Sequence, residues 1–309
     1  EMKILITGGS GSLGSYTVPR LIEKGHEIRV FDKRTDIFKG MEGKGLELID
    51  GKVEDRSKVN EAVKVTEVVL HLAWSFSGDP FETFAVDIGG LLNLLDASVQ
   101  NNVKQFIFVS SAVVYGSPAY TPVDEKHSCE VEDSRKPLYA LTKYTAEKLC
   151  LVYQKERNLP VTNIRFWWGF GDEIGGKHLR SMIQEALDGE VIQVPQGAGG
   201  SFLHFDDFLL GLETILLNEK AMSETFNLSS FYITWEDVAK MIVEVTGSGR
   251  VETVSQSDWK GSSFIADEWD LTYKKLGDLL GFSPVYPDDE ARKLLKEAIN
   301  DCTEKILKQ

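Results

Sequence analysis

Residues 2–15 read "MKILITGGSGSLGS", and the fold turns on how this stretch is taken. "MKILIT" (2–7) is a short apolar run with β-branched residues, the pattern of a buried strand. "LGSYTVPRLIEKG" has the spacing of a helix. The glycines between them fit two overlapping patterns: G-x-G-x-x-G at Gly9, Gly11 and Gly14, and G-x-x-G-x-x-G at Gly8, Gly11 and Gly14. Glycine lets the backbone turn tightly and approach a pyrophosphate, which rests on the positive end of the following helix. A bare glycine motif is weak evidence. Here a strand precedes it, a helix follows, and Asp32 ends a second strand, "HEIRVFD" (26–32), which is the context the motif requires. The stretch reads as the first βαβ unit of a dinucleotide-binding fold.

The rhythm continues outward. A third strand lies within "LELIDGKVED", a fourth in "TEVVLHLAW" (66–74), a fifth in "VKQFIFVSS" (103–111), and a sixth begins in "PVTNIRFWW" (160–168). Helical patterns cover roughly 80–102 and 137–157. Apolar strands alternating with helices predict a doubly wound parallel sheet covered on both faces. After about residue 170 the alternation weakens. The expected division is a Rossmann-type domain over 1–168, with 202–220 packing back onto it, and a smaller C-terminal domain over 169–309.

Composition narrows the partners. The chain has 309 residues, a net charge of −14 and a pI near 4.9, which argues against nucleic acid or an anionic membrane. No apolar run approaches the ~20 residues that span a bilayer. "EMKILITGG" meets glycine too soon for a signal peptide. Cys129, Cys150 and Cys302 are odd in number and far apart, so reduced thiols and a cytoplasmic location are expected. No His/Cys cluster has metal-ligand spacing, so no metal is expected. Asp32 can accept hydrogen bonds from ribose hydroxyls and repel a 2′-phosphate, which favours NAD over NADP. Lys33 and Arg34 follow it and would neutralise such a phosphate, so NADP stays the less favoured alternative.

Residues 139–148, "YALTKYTAEK", pose a choice. Tyr139 has Lys143 four residues on, and Tyr144 has Lys148; each pair shares a helix face. An ammonium beside a phenol eases its ionisation, which suits a general acid/base. The two tyrosines are about 140° apart on a helix, so they cannot both face one site. Ser110 and Ser111 pose a similar choice, because neighbours on a strand point to opposite faces.

These segments resemble the extended short-chain dehydrogenase/reductase family, of the NAD-dependent epimerase/dehydratase type. "TGGSGSLGS" is similar to its glycine motif, "VVLHLAW" to its strand-four signature, "VSSAVVYG" to its strand-five signature, and "YALTK" to its Tyr-x-x-Ser/Thr-Lys. "FLHFDDF" (202–208) and "LGDLLGFSP" (276–284) resemble later landmarks. The resemblance selects Tyr139, Lys143 and Ser111 as the catalytic set and leaves Tyr144 to packing or the rim. It implies dinucleotide contacts from Gly8, Gly11, Ser12, Leu13 and Gly14 in the loop, from Asp32 and Val53, from Leu72 and Ala73 after strand four, and from Tyr139 and Lys143. It implies substrate contacts from Trp74, Ser111 and Trp168. A homodimer is expected through the helices near 87–102 and 137–157, whose Leu91, Leu94, Leu95, Leu141 and Leu149 exceed what one helix face must bury.

Departures from the family pattern shape the reaction. Ala112, Val113 and Val114 follow Ser111 where hexose dehydratases carry an acid, which argues against a 4,6-dehydratase. Arg165 matches an Arg-x-x-Asn motif, but Trp168 replaces its asparagine. Gly200 replaces the arginine that usually meets a diphosphate. Lys52 and Asp87 stand where acidic and asparagine residues are usual near the cofactor. Trp167 and Trp168 should face opposite ways, one to the core. His71 and His204 read as structural. Three functions remain in view: an NAD-dependent epimerase or related enzyme of a sugar or sugar nucleotide, a dehydrogenase/reductase of a non-nucleotide alcohol or ketone, and a non-catalytic NAD-binding regulator.

Overall fold

The computed structural model describes residues 1–43 and 45–308. In chain order its strands are β1 (Lys3–Thr7), β2 (Glu27–Asp32), β3 (Leu46–Asp50), β4 (Val68–His71), β5 (Gln105–Val109), β6 (Val161–Arg165), β7 (Trp168–Phe170), β8 (Val191–Pro195), β9 (Gly199–His204), β10 (Glu224–Asn227), β11 (Phe231–Thr234), β12 (Arg250–Val254) and β13 (Glu268–Trp269). The α-helices are α1 (Ser12–Glu23), α2 (Arg56–Val63), α3 (Pro80–Phe84), α4 (Gly90–Gln100), α5 (Pro137–Arg157), α6 (Lys177–Leu187), α7 (Phe205–Ile215), α8 (Trp235–Thr246), α9 (Ser263–Ala266), α10 (Lys274–Leu280) and α11 (Asp288–Leu307). Among the described residues no helix is long and apolar enough to cross a membrane.

Seven strands form one parallel sheet in the order β10-β6-β5-β4-β1-β2-β3. The chain winds one way from β1 to β3 and the other way from β4 outward. The switch between β1 and β4 opens the crevice where such sheets take ligands. The seventh strand, β10, comes from beyond the six read in the sequence. Its four residues are too few to show a period, and only pairing with β6 defines them.

Alternation along β1 sorts the two covering layers. Ile4 and Ile6 share a core with Val18 and Leu21 of α1 and with Phe208 and Leu212 of α7. Leu5 points the other way, among Val59, Leu91, Leu94, Leu95 and Ala146 of α2, α4 and α5. This accounts within one chain for part of the apolar surplus counted along these helices. Leu91, Leu94 and Leu95 are fully buried within their own chain. Three helices, α2, α4 and α5, cover this face, and α2 gives α4 a second partner that a count of leucines along one helix does not see. Leu149 is half-buried, and Leu141 is 40% exposed.

A third core holds the C-terminal elements together. β9 is flanked by β11, β13 and β7, β8 pairs with β12, and the aromatic residues Trp167, Phe202, Trp235 and Trp269 pack among α6, α8 and α11. The loop from β6 to β7 carries the chain from the large sheet into this layer, so Trp167 and Trp168 stand at the seam.

Candidate active site

The glycine loop is held by sterics at two points. Gly8 has φ +70, and a Cβ there would lie 2.5 Å from the Ala73 nitrogen. A Cβ on Gly14 would lie 2.5 Å from the Gly9 Cα. The loop thus closes on itself and on the segment after β4. No side chain caps the first turn of α1, which Gly11 precedes and Ser12, Leu13 and Gly14 begin. An uncapped helix N-terminus presents amide N–H groups to an anion. Asp32 fixes the far side: its carboxylate accepts from the N–H of Ser10 at 2.9 Å and of Lys33 at 2.7 Å.

A cavity of about 380 Å³ lies over this loop, lined by Gly8, Gly11, Asp32, Val53, Leu72 and Ala73, with Trp74 and Phe76 at the edge of the set. Of the expected dinucleotide contacts, Gly8, Gly11, Asp32, Val53, Leu72 and Ala73 converge here; Ser12, Leu13 and Gly14 form the first turn of α1, and Tyr139 and Lys143 lie outside this lining. The buried Trp74 indole N–H has no partner among the described residues. A glycine cradle, an uncapped helix end and an acid at the tip of β2 fit a dinucleotide.

Tyr139 lies in the first turn of α5, two residues after Pro137, whose missing N–H is no loss at that position. Its ring is half-buried, and burial pushes the phenol up to about 12, with the Ser111 hydroxyl pulling the other way. Lys143, one turn on, is buried and donates to the Val109 carbonyl at the end of β5 at 2.8 Å. Loss of water pulls its ammonium down to about 7, against the attraction of Asp87 and Glu147. The Lys143 Nζ lies 4.0 Å from the centre of the Trp74 ring, a cation–π contact. Lys148, itself exposed, instead lies over the half-buried ring of its own Tyr144. Helix phase separates the two pairs, as 140° requires.

Ser111 caps a short 3-10 turn, accepting from the Val113 N–H at 3.3 Å. The Ser110 hydroxyl is buried without a partner among the described residues. His71 shares a 2.6 Å hydrogen bond with Thr7, and burial holds its imidazole down at about 3, so it is a neutral core group. His204 caps α7 through Nδ1, which accepts from the Asp206 N–H at 3.1 Å.

The tryptophan pair explains Gly200. A Cβ on Gly200 would sit 2.2 Å from the Trp167 ring, so the indole fills the space an arginine stem would need. Trp168 donates its indole N–H to the Gly175 carbonyl at 3.0 Å and covers Gly176. It is not among the residues lining either the cavity over the glycine loop or a larger cavity of about 690 Å³. That second cavity is lined by Arg135, Lys177, His178, Trp259 and Lys260, and also by the acids Glu185, Glu190 and Glu252. Burial holds the His178 imidazole down at about 4, with Arg135 adding to the effect. Sequence reading passed over Arg135, His178 and Phe76. Only Arg135 carried a signal, four residues before Tyr139, and that spacing belongs to no motif.

Residues 4–229 match the NAD-dependent epimerase/dehydratase family. UDP-glucose 4-epimerase of Haemophilus influenzae is 33% identical over 162 residues, 48% of this chain and 47% of that protein. The 3β-hydroxysteroid dehydrogenase/Δ5→4-isomerase of Mycobacterium tuberculosis is 29% identical over 201 residues, 61% of this chain and 52% of that protein. The chain thus spans about half the length of either relative. The structure of UDP-glucose 4-epimerase from Thermotoga maritima with UDP-glucose superimposes with a TM-score of 0.77 at 25% identity, covering 99% of each chain. With the match extending from β1 past β10 and through the glycine cradle and the Tyr139 helix, this chain is an enzyme of the NAD-dependent epimerase/dehydratase family.

Proposed function

We propose that the chain binds NAD(H) over the glycine loop and oxidises or reduces a secondary alcohol or ketone, with Tyr139 as the acid/base. The convergence of the Tyr139 phenol, the Ser111 hydroxyl and the Lys143 ammonium carries this reading. The bound dinucleotide would supply the hydride acceptor or donor. Ser111 orients the substrate oxygen by donating to it. Tyr139 takes the proton from that oxygen during oxidation and returns it during reduction. Lys143 stabilises the phenolate through its charge and is itself held by Val109. A regulator would have no need of this set; its presence favours an enzyme.

Cofactor choice tests the first half. Asp32 lines the cavity with a carboxylate that would repel a 2′-phosphate, so NAD(H) should bind more tightly than NADP(H). Calorimetry giving the reverse order would mean that Lys33 and Arg34 dominate.

The substrate is an uncommon sugar derivative or a less charged alcohol, and UDP-hexoses bind weakly. A charge-assisted hydrogen bond contributes roughly 1.5–3 kcal/mol, about 10- to 150-fold in affinity. Trp167 excludes an arginine at Gly200, and Glu185, Glu190 and Glu252 oppose a diphosphate in the second cavity. Arg135, Lys177 and Lys260 are balanced there by the three acids, which leaves little net positive charge for a diphosphate. The hydroxysteroid relative supports the non-nucleotide alternative, because its named substrate is an apolar alcohol. A thermal-shift screen with NAD present separates these. A submicromolar dissociation constant for a UDP-hexose would restore the nucleotide-sugar epimerase reading.

A further inference from the structure

Between α3 and α4 the chain makes a π-helical turn, Ala85–Gly89, with Asp87 at its centre. Such turns insert one extra residue and recur at functional sites. Asp87 is 1% exposed, yet it carries an acid. One carboxylate oxygen accepts from the Ser75 N–H at 2.7 Å, and the other accepts from the Thr142 hydroxyl at 3.1 Å. Both partners adjoin the candidate pair. Thr142 precedes Lys143. Ser75 lies between Trp74, which covers the Lys143 ammonium, and Phe76, whose ring stacks on Tyr139 at 6.0 Å and 18°.

Charge points the same way. Two carboxylates act on the buried Lys143, Asp87 and Glu147. Glu147 has both oxygens engaged by Arg165, at 2.9 and 2.5 Å, so a guanidinium already balances it. The other titratable groups facing Lys143, Tyr139 and His71, are neutral near pH 7, the phenol raised and the imidazole lowered by burial. That leaves Asp87 as the anion without a guanidinium of its own.

We propose that Asp87 is a positioning residue: it supplies the counter-charge of Lys143 and clasps the Trp74–Phe76 segment against the Tyr139–Lys143 pair. The role in turnover rests on the reading of Tyr139 as acid/base; the coupling of Asp87 to Lys143 does not. Burial pushes the Asp87 carboxyl up to about 6, while the Ser75, Thr142 and Lys143 contacts pull it back. Above that value the carboxylate helps Lys143 keep its proton, and below it the help is lost.

Asp87→Asn keeps the shape and the acceptor for Ser75 but removes the charge. With lysine labelled at 13Cε and the signal identified by Lys143→Arg, the Lys143 titration midpoint should fall by about one unit, about tenfold in proton affinity. The alkaline limb of the turnover–pH profile should move down with it. Thr142→Val keeps the charge but removes one hydrogen bond to it, so the acid limb should move to higher pH. This second variant keeps the test available if Asp87→Asn does not fold. An unmoved Lys143 midpoint in folded Asp87→Asn, or an unmoved acid limb in Thr142→Val, overturns the inference. Turnover retained by Tyr139→Phe would instead remove the reaction reading, with the Asp87–Lys143 coupling still visible in the titration.

Discussion

Replacing Tyr139 with phenylalanine lowers turnover by about 10²–10⁴-fold, the usual contribution of a positioned general acid/base. The ring remains, so its stacking on Phe76 and its place in the first turn of α5 are kept. What goes is the hydroxyl proposed to exchange a proton with the substrate oxygen, the one whose pKa Ser111 lowers. NAD(H) affinity should hold, because the glycine cradle, Asp32 and the Lys143 ammonium are untouched. Tyr144→Phe is the control: its phenol sits beside Lys148 on the outer part of α5, and turnover should stay near that of the parent protein. Steady-state rates and NAD calorimetry on both variants decide the matter. A large loss in Tyr144→Phe with little in Tyr139→Phe would mean that the wrong pair has been assigned.

Replacing Arg165 with methionine costs about 3–5 kcal/mol of stability, the range for removing one partner of a buried ion pair. Arg165 ends β6 and Glu147 lies on α5, and their side chains are 6% and 2% exposed. Both carboxylate oxygens accept from the guanidinium. Without it, Glu147 becomes an unbalanced acid in the core, one turn from Lys143. Urea unfolding should show a much lower midpoint for Arg165→Met. The double variant Arg165→Met with Glu147→Leu should recover most of the loss, because no charge is then left buried. A single variant as stable as the parent protein would show that water reaches Glu147. The pair's larger consequence is for the candidate site, since it ties α5, which carries Tyr139 and Lys143, to the end of the sheet.

The Rossmann-type half was legible along the chain. Local rules govern it: apolar runs make the strands of a covered sheet, glycines at fixed spacing make a loop that can meet a pyrophosphate, and Asp32 closes the second strand. Helix phase shows that Tyr139 and Tyr144 cannot both face one site, and the family resemblance proposes Tyr139. Tertiary structure decided what depends on distant residues meeting. Leu91, Leu94 and Leu95 read as spare apolar surface until α2 and α5 were seen to enclose α4. Gly200 read as a lost arginine, and Trp167, far from it in sequence, supplies the reason by filling the same volume. Asp87 read as a mismatch; in the fold a π-helical turn buries its carboxylate between the Ser75 amide and the Thr142 hydroxyl, where its charge acts on the Lys143 ammonium. Burial and opposed charge across separate elements arise only when the sheet brings those elements together, so a pattern read along the chain does not contain them.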